Sequence, residues 1–276
     1  MAEINSQENR TLLESAIPHL VAWYRENKKE YPWRVDATPY HVWVSEIMLQ
    51  QTRIEAALEY YKRFIRELPS VKELAEVDDE RLMKLWQGLG YYSRARNLKK
   101  AAIRVMEEHG GELPGSADAL KKLPGIGDYT AGAIASIAYH RSEPAVDGNV
   151  LRVISRIIAS YDDIMLPATK KSVTELLRSV YPGGEDAALL TEGLMELGEQ
   201  ICIPNGEPRC SACPIASFCR AFAEGKTDEI PVREVKKEKR KEEKTVLLLR
   251  SSDGRYAIRK RGEKGLLANK IGRAHV

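Results

Sequence analysis

Two carboxylates stand out by their company. Glu46 lies in YHVWVSEIMLQQTRIEAA among Val42, Trp43, Ile47, Met48 and Leu49. A glutamate in apolar surroundings is rare unless it is paired or used. If it is buried, its charged form is disfavoured, and it becomes a proton donor near neutral pH. Asp147 lies in VDGNV, just ahead of Val150, Val153, Ile154, Ile157 and Ile158, which mark a buried helix face. An aspartate there caps the helix start, where the dipole and free N–H groups favour the anion. One carboxyl held as acid and one as anion is the arrangement that cuts glycosidic bonds. The first protonates the leaving group, and the second faces an oxocarbenium-like sugar. A half-exposed helix glutamate and an ordinary N-cap are the plain alternatives.

Other stretches suit nucleic acid. LPGIGDYT (Leu123 to Thr130) reads as a tight turn between helices, with Gly125 and Gly127 supplying positive φ and Pro124 fixing the entry. Its amides would cradle one backbone phosphate, unless it is a plain helical corner. In WQGLGYYSRARNLKK, Gly88 and Gly90 make a turn, and Tyr91 and Tyr92 follow. Arg94, Arg96, Lys99 and Lys100 then form a dense positive patch. Rings beside such cations suit a groove that grips phosphates while a side chain wedges between bases. Arg94 and Arg96 are therefore read, with Gly125 and Gly127, as DNA-backbone contacts. Gln50 and Gln51 are amides able to read base edges or fill a gap in a stack. Trp33-Arg34 on its loop could stack on and hydrogen-bond a base, or be a core tryptophan with a surface arginine.

All four cysteines fall between Cys202 and Cys219, with the spacing C-x7-C-x2-C-x5-C. In a reducing compartment this reads as a metal site rather than a disulfide framework. Zinc would ordinarily show two C-x2-C pairs; a single loop of Cys202, Cys210, Cys213 and Cys219 better fits a [4Fe–4S] cluster, with zinc the alternative. The 276 residues carry 43 basic and 40 acidic side chains, so any nucleic-acid surface must be a local patch. No run is long and apolar enough for a membrane span and no signal peptide is evident, so the expected location is the cytoplasm.

The elements that must position these groups read as mainly α. A first helix carries Leu13, Ile17, Leu20, Val21 and Tyr24, with Ser15 as its cap so that Pro18 falls in the first turn. Short helices are predicted at Val71–Ala75, Asp79–Trp86, Arg94–His109 and Ser116–Lys122, and another through Leu190, Leu194, Leu197 and Ile201. The charge-dense stretch at 226–245 reads as a linker. TVLLLRSSDGRYAIRKR then predicts a β-hairpin around Ser252-Asp253-Gly254. Residues 270–276 look like a non-native tail and are left out of the predicted fold.

Taken together, PWR, SEIMLQQTR, GLGYYSRARNL, LPGIGDYTAGAI, VDGNVLRV and the four cysteines resemble the helix–hairpin–helix DNA glycosylases, and among them the MutY-type adenine DNA glycosylases. The likeness runs from about Leu12 to Arg261. It implies a two-lobed fold: a six-helix domain at 33–139, an iron–sulfur domain from 1–32 and 140–225, and the start of a Nudix-like domain at 246–269. It implies a monomer that binds duplex DNA and excises adenine mispaired with 8-oxoguanine or guanine. The residue matching Glu46 protonates adenine N7; that matching Asp147 stabilises the oxocarbenium ion and bonds C1′ transiently. Tyr129 assists at that face, Trp33, Arg34 and Glu192 match the adenine pocket, and Gln51 and Tyr91 match residues inserted near 8-oxoguanine. Endonuclease III has a lysine at the Tyr129 position, with which it forms a Schiff base and nicks the strand. A phenol cannot, so a monofunctional enzyme is expected. A thymine glycosylase for T·G mismatches and an endonuclease III-type lyase are the alternatives. The first cysteine gap is one residue longer than the family's usual gap. The Nudix-like portion stops soon after it starts, so weak discrimination between 8-oxoguanine and guanine is expected.

Overall fold

Thirteen α-helices are present among the residues described in the computed structural model, namely 4–234, 249–260, 262 and 271–273. They are α1 (Gln7–Asn27), α2 (Pro32–Val35), α3 (Pro39–Leu49), α4 (Ile54–Glu67), α5 (Val71–Glu76), α6 (Asp79–Trp86) and α7 (Ser93–His109). Then come α8 (Ala117–Leu120), α9 (Asp128–Ala133), α10 (Gly148–Ile157), α11 (Pro167–Val180), α12 (Glu185–Gln200) and α13 (Arg220–Ala223). The chain divides into two compact units between Glu234 and Val235. None of the described helices is long and apolar enough to cross a membrane.

The first unit holds two hydrophobic cores. One runs from Trp33 to Ala145 and centres on Trp43, Phe64 and Trp86, none of them exposed; each such ring contributes roughly 2–3 kcal/mol by leaving water. The other joins Ile4–Tyr24 of the N-terminal region to Val146–Ile215, with α1 and α10 packed on α12. The chain passes between them twice, at the loop before Trp33 and in the Ala145-Val146 step. The elements carrying Glu46 and Asp147 therefore belong to different cores.

Local chemistry explains most boundaries. Thr38, Ser70, Asp78 and Ser116 cap α3, α5, α6 and α8 with side-chain oxygens. Gly110, at φ 64°, ends α7 in the left-handed conformation. Two expectations fail here. The α1 cap is Ser6, whose Oγ accepts from the Asn9 amide at 3.2 Å, while Ser15 donates to the Thr11 carbonyl in mid-helix. Pro18 is thus interior, a placement that ordinarily costs about 3 kcal/mol. Leu13, Ala16, Ile17, Leu20, Val21 and Tyr24 bury one stripe on both sides of it, and that packing outweighs the lost bond. In the LPGIG turn only Gly125 has positive φ, at 81°. Gly127 is extended (φ −96°, ψ −178°) and precedes α9 as its N-cap residue.

The linker begins later than 226. Ile230 is 1% exposed and its carbonyl accepts from Arg156 Nε at 2.7 Å, which fastens this stretch to the first unit. Most of the remaining linker, and the GLLAN segment, lie outside the described residues. In the second unit, Arg250 bridges Tyr256 around a turn with Gly254 at φ 87°. Strand β1 (Ile258–Lys260) pairs antiparallel with β2 (Ile271–Arg273). The segment set aside as a tail therefore takes part in pairing, because an unpaired β1 edge accepts any extended neighbour.

Candidate active site

A cleft of about 1010 Å³ opens between the two cores. Its lining brings together Trp33, Arg34, Glu46, Gln51, Tyr91, Tyr129, Asp147 and Glu192, which are far apart in sequence. Glu46 comes from the last turns of α3 and is 7% exposed. Burial raises its pKa from 4.5 to about 7; hydrogen bonding with Tyr129 opposes the rise, and Glu192 and Asp147 add to it. The Tyr129 hydroxyl, in the first turn of α9, also lies 3.4 Å from Met195 Sδ. Its own pKa is pushed well up by burial and by the Glu46 and Asp147 carboxylates, so it stays a neutral phenol.

Asp147 is the N-cap of α10. Its Oδ1 accepts from the Asn149 and Val150 amides at 2.9 and 2.8 Å, and its Oδ2 from Asn149 Nδ2 at 3.0 Å. Three N–H donors on two oxygens match a carboxylate, which only accepts. Asn149 Oδ1 in turn accepts from Arg152 Nη2 at 2.9 Å. Arg152 also donates to the carbonyls of Gly198 and Cys202, both at 2.8 Å. The aspartate is thus braced, two side chains away, against the cysteine loop.

The floor of the cleft is built around Arg34. Its Nη2 meets Glu196 Oε2 at 2.9 Å, and its Nε lies 3.5 Å from Glu192 Oε1. The guanidinium lies over the rings of Tyr31 and Tyr24, at 4.9 and 5.6 Å. Tyr24 donates to Glu192 Oε2 at 3.1 Å. Burial raises the pKa of Glu192, against the opposing pull of Arg34 and of that hydrogen bond. Trp33 is 6% exposed, stacked on Tyr31 and edge-on to Tyr61. It serves both as core residue and as cleft wall.

Glu196, Asn149 and Arg152 are absent from the sequence-based set of site residues. Glu196 carries a legible signal, since it follows Glu192 by one helical turn on the face of α12 that meets the cleft. For Arg152 there is no such signal, because its partners are carbonyls on distant segments.

Not every expected residue presents its side chain to a ligand in the cleft. Arg94 lines it but is 8% exposed, with its guanidinium held by main-chain carbonyls of 47, 48, 50, 89 and 90, so it cannot grip a phosphate. That expectation is corrected: the charge is committed inside. Arg96, half-buried on α7, Gly125 and Gly127 lie outside the cleft lining. Gly127 is exposed, and an added Cβ would meet nothing within 4 Å.

The cysteines stand apart from the cleft, free of disulfides and half-buried. Burial raises the pKa of Cys213 to about 12, and the neighbouring thiols of Cys202, Cys219 and Cys210 add to it, so the four sulfurs share one neighbourhood. Arg156 Nη1 donates to Cys202 Sγ at 3.3 Å, and Cys219 Sγ donates to the Arg156 carbonyl at 3.4 Å. Among the described residues, no three Cys, His, Asp or Glu side chains close to the spacing of a metal site.

The profile of the HhH-GPD superfamily base excision DNA repair proteins matches residues 44–182, which span the hairpin, Glu46 and Asp147. The chain belongs to this superfamily. Adenine DNA glycosylase of Mus musculus is 41% identical over 213 residues, covering 74% of this chain and 41% of its own. Adenine DNA glycosylase of Arabidopsis thaliana is 37% identical, covering 90% of this chain and 45% of its own. The chain spans about two fifths of the length of these relatives. Among solved structures, a thermostable thymine-DNA glycosylase superposes with TM-score 0.68 at 24% identity, over 79% of this chain and 98% of its own. A trapped endonuclease III–DNA covalent intermediate superposes with TM-score 0.65 at 23% identity, over 78% and 98%. These two likenesses speak for the HhH-GPD fold.

Proposed function

We propose that this HhH-GPD chain carries the catalytic core of an adenine DNA glycosylase, acting on adenine opposite 8-oxoguanine or guanine in duplex DNA. The observation that supports this best is the pairing across one cleft of Glu46, a buried acid poised near neutrality, with Asp147, held by three N–H donors. Glu46 would protonate the departing base, and Asp147 would face the positive sugar. Tyr129 touches both groups electrostatically, as a neutral phenol that cannot form a Schiff base. Trp33, Arg34 and Glu192 would receive the base, which must leave the stack to reach Glu46. Exposed Gln51 and Tyr91 at the cleft mouth would fill the space it vacates, while the Gly125–Gly127 turn and Arg96 hold the backbone.

Cys202, Cys210, Cys213 and Cys219 would hold a [4Fe–4S] cluster; four neighbouring thiols beside the Arg156 guanidinium are a donor set suited to its anionic charge. Bound there, it would supply a structural cross-link to the loop that Arg152 and Arg156 hold.

The test is base release from duplexes carrying A·8-oxoguanine, A·G, T·G and thymine glycol. Free adenine from the first two, leaving a strand that breaks only in alkali, is the expected result. Thymine release, or strand cleavage without alkali together with borohydride trapping, would overturn the proposal.

A further inference from the structure

Gln51 and Tyr91 are two of the four non-glycine residues with left-handed φ among the described residues, at 59° and 45°. A side chain in that conformation is strained, and the strain persists only where the surroundings over-determine it. The two lie on separate loops, one after α3 and one before α7, and both reach the same cleft.

One guanidinium occupies the space between those loops. Arg94 Nη1 donates to the carbonyls of Ile47 and Met48, both at 2.9 Å, and of Gln50 at 2.6 Å. Its Nη2 donates to the carbonyls of Leu89 at 3.1 Å and Gly90 at 3.4 Å, and lies 3.5 Å from Thr52 Oγ1. Two of these carbonyls, Gln50 and Gly90, belong to the peptide planes immediately preceding the strained residues. Fixing each plane fixes the axis about which φ of the next residue turns. The guanidinium also lies 5.5 Å from the rings of both Trp86 and Tyr91, and Trp86 Nε1 donates to the Gly90 carbonyl at 3.0 Å.

The charge has no carboxylate partner among the described residues; it sits on the last carbonyls of α3, where the helix dipole is negative. Burial accordingly pulls the Arg94 pKa down. A buried cation that makes no ion pair among the described residues, and that reaches the last turn of α3, the Gln50 carbonyl just after it and two carbonyls of the loop before α7, is placed to join the two segments.

We propose that Arg94 is a positioning residue that locks the Gln51 and Tyr91 loops into one rigid wedge, so that both side chains enter the duplex as a unit. The inference rests on the reading of Gln51 and Tyr91 as duplex-inserted residues. Arg94→Lys keeps the charge but loses the planar fork, and an ammonium cannot span both sets of carbonyls. Two substrates separate the roles: a fully paired duplex with A·8-oxoguanine, and one in which the adenine sits unstacked in an internal loop. Single-turnover release should fall about tenfold or more on the paired duplex and change less than about threefold on the looped one, because the latter needs no wedge. With 2-aminopurine beside the target adenine, the fluorescence rise on binding should shrink in parallel. Equal losses on both substrates, or no loss on the paired one, would overturn the proposal.

Should the variant not accumulate folded, hydrogen exchange on the unmodified protein decides. Residues 49–53 and 88–92 should open in one transition as denaturant rises, and independent opening would overturn the coupling. Failure of the unmodified protein to release adenine from either substrate would instead count against the proposed function.

Discussion

The behaviour of Glu46 follows from one buried carboxyl. Its folded pKa of about 7 lies above the ordinary 4.5, so the native state binds more protons than the unfolded chain between those values. Stability is then undiminished below pH 4.5 and falls as pH rises through about 7, by roughly 3 kcal/mol at most. Glu46→Gln removes the titration. It should abolish base release, match the parent's unfolding temperature near pH 4, and exceed it at pH 8. A variant that is less stable than the parent at pH 8 would show that Glu46 does not carry the buried charge. Base release by the parent should decline above about pH 7, as the acid is lost. The position of Glu46 in an apolar run makes this legible from sequence. The contributions of Glu192 and Asp147 come from other helices and are not.

At the scale of elements, α10 owes its start to Asp147. Asparagine caps as well as aspartate, whereas alanine does not, at a cost of about 1 kcal/mol. Asp147→Asn should therefore keep the α10 cap and the affinity for duplex DNA while losing turnover, with only the Asn149 Nδ2 contact to the second oxygen given up. Asp147→Ala should lose turnover and also unfold several degrees lower. Turnover retained in the asparagine variant, measured by single-turnover adenine release, would sink the proposed mechanism. Elements with local signals were readable in advance: Ser116 caps α8, and Asp79–Trp86 has the predicted bounds. Where prediction failed, a long-range term overrode a local one. Pro18 sits inside α1 because the stripe it interrupts is buried on α12, and Arg94, which sequence places on a basic face, is drawn inward by the carbonyls ending α3.

For the whole molecule, the cysteine loop is tied to α10 through Arg152 and Arg156, and so to Asp147. Purified protein should be yellow-brown, with visible absorbance that acid bleaches and with iron and acid-labile sulfide bound. Cys213→Ser should lose the colour and, because the loop braces α10, lower the unfolding temperature. Colourless protein containing stoichiometric zinc would overturn the cluster assignment. The sequence by itself determined the helical class, the hairpin turn and the candidate acid and anion, because composition, glycine and capping chemistry, and motif spacing act within a few residues. Tyr91, Tyr129 and Glu192 were assigned to the cleft only by the resemblance to the glycosylases, since no local pattern carries them there. Only the tertiary structure decided that Arg94 is an internal brace, that Glu196 holds Arg34, and that Asn149 and Arg152 stand behind Asp147. Each of these depends on which carbonyl or carboxylate arrives from a distant helix, and pair distances of that kind exist only once the two cores have packed.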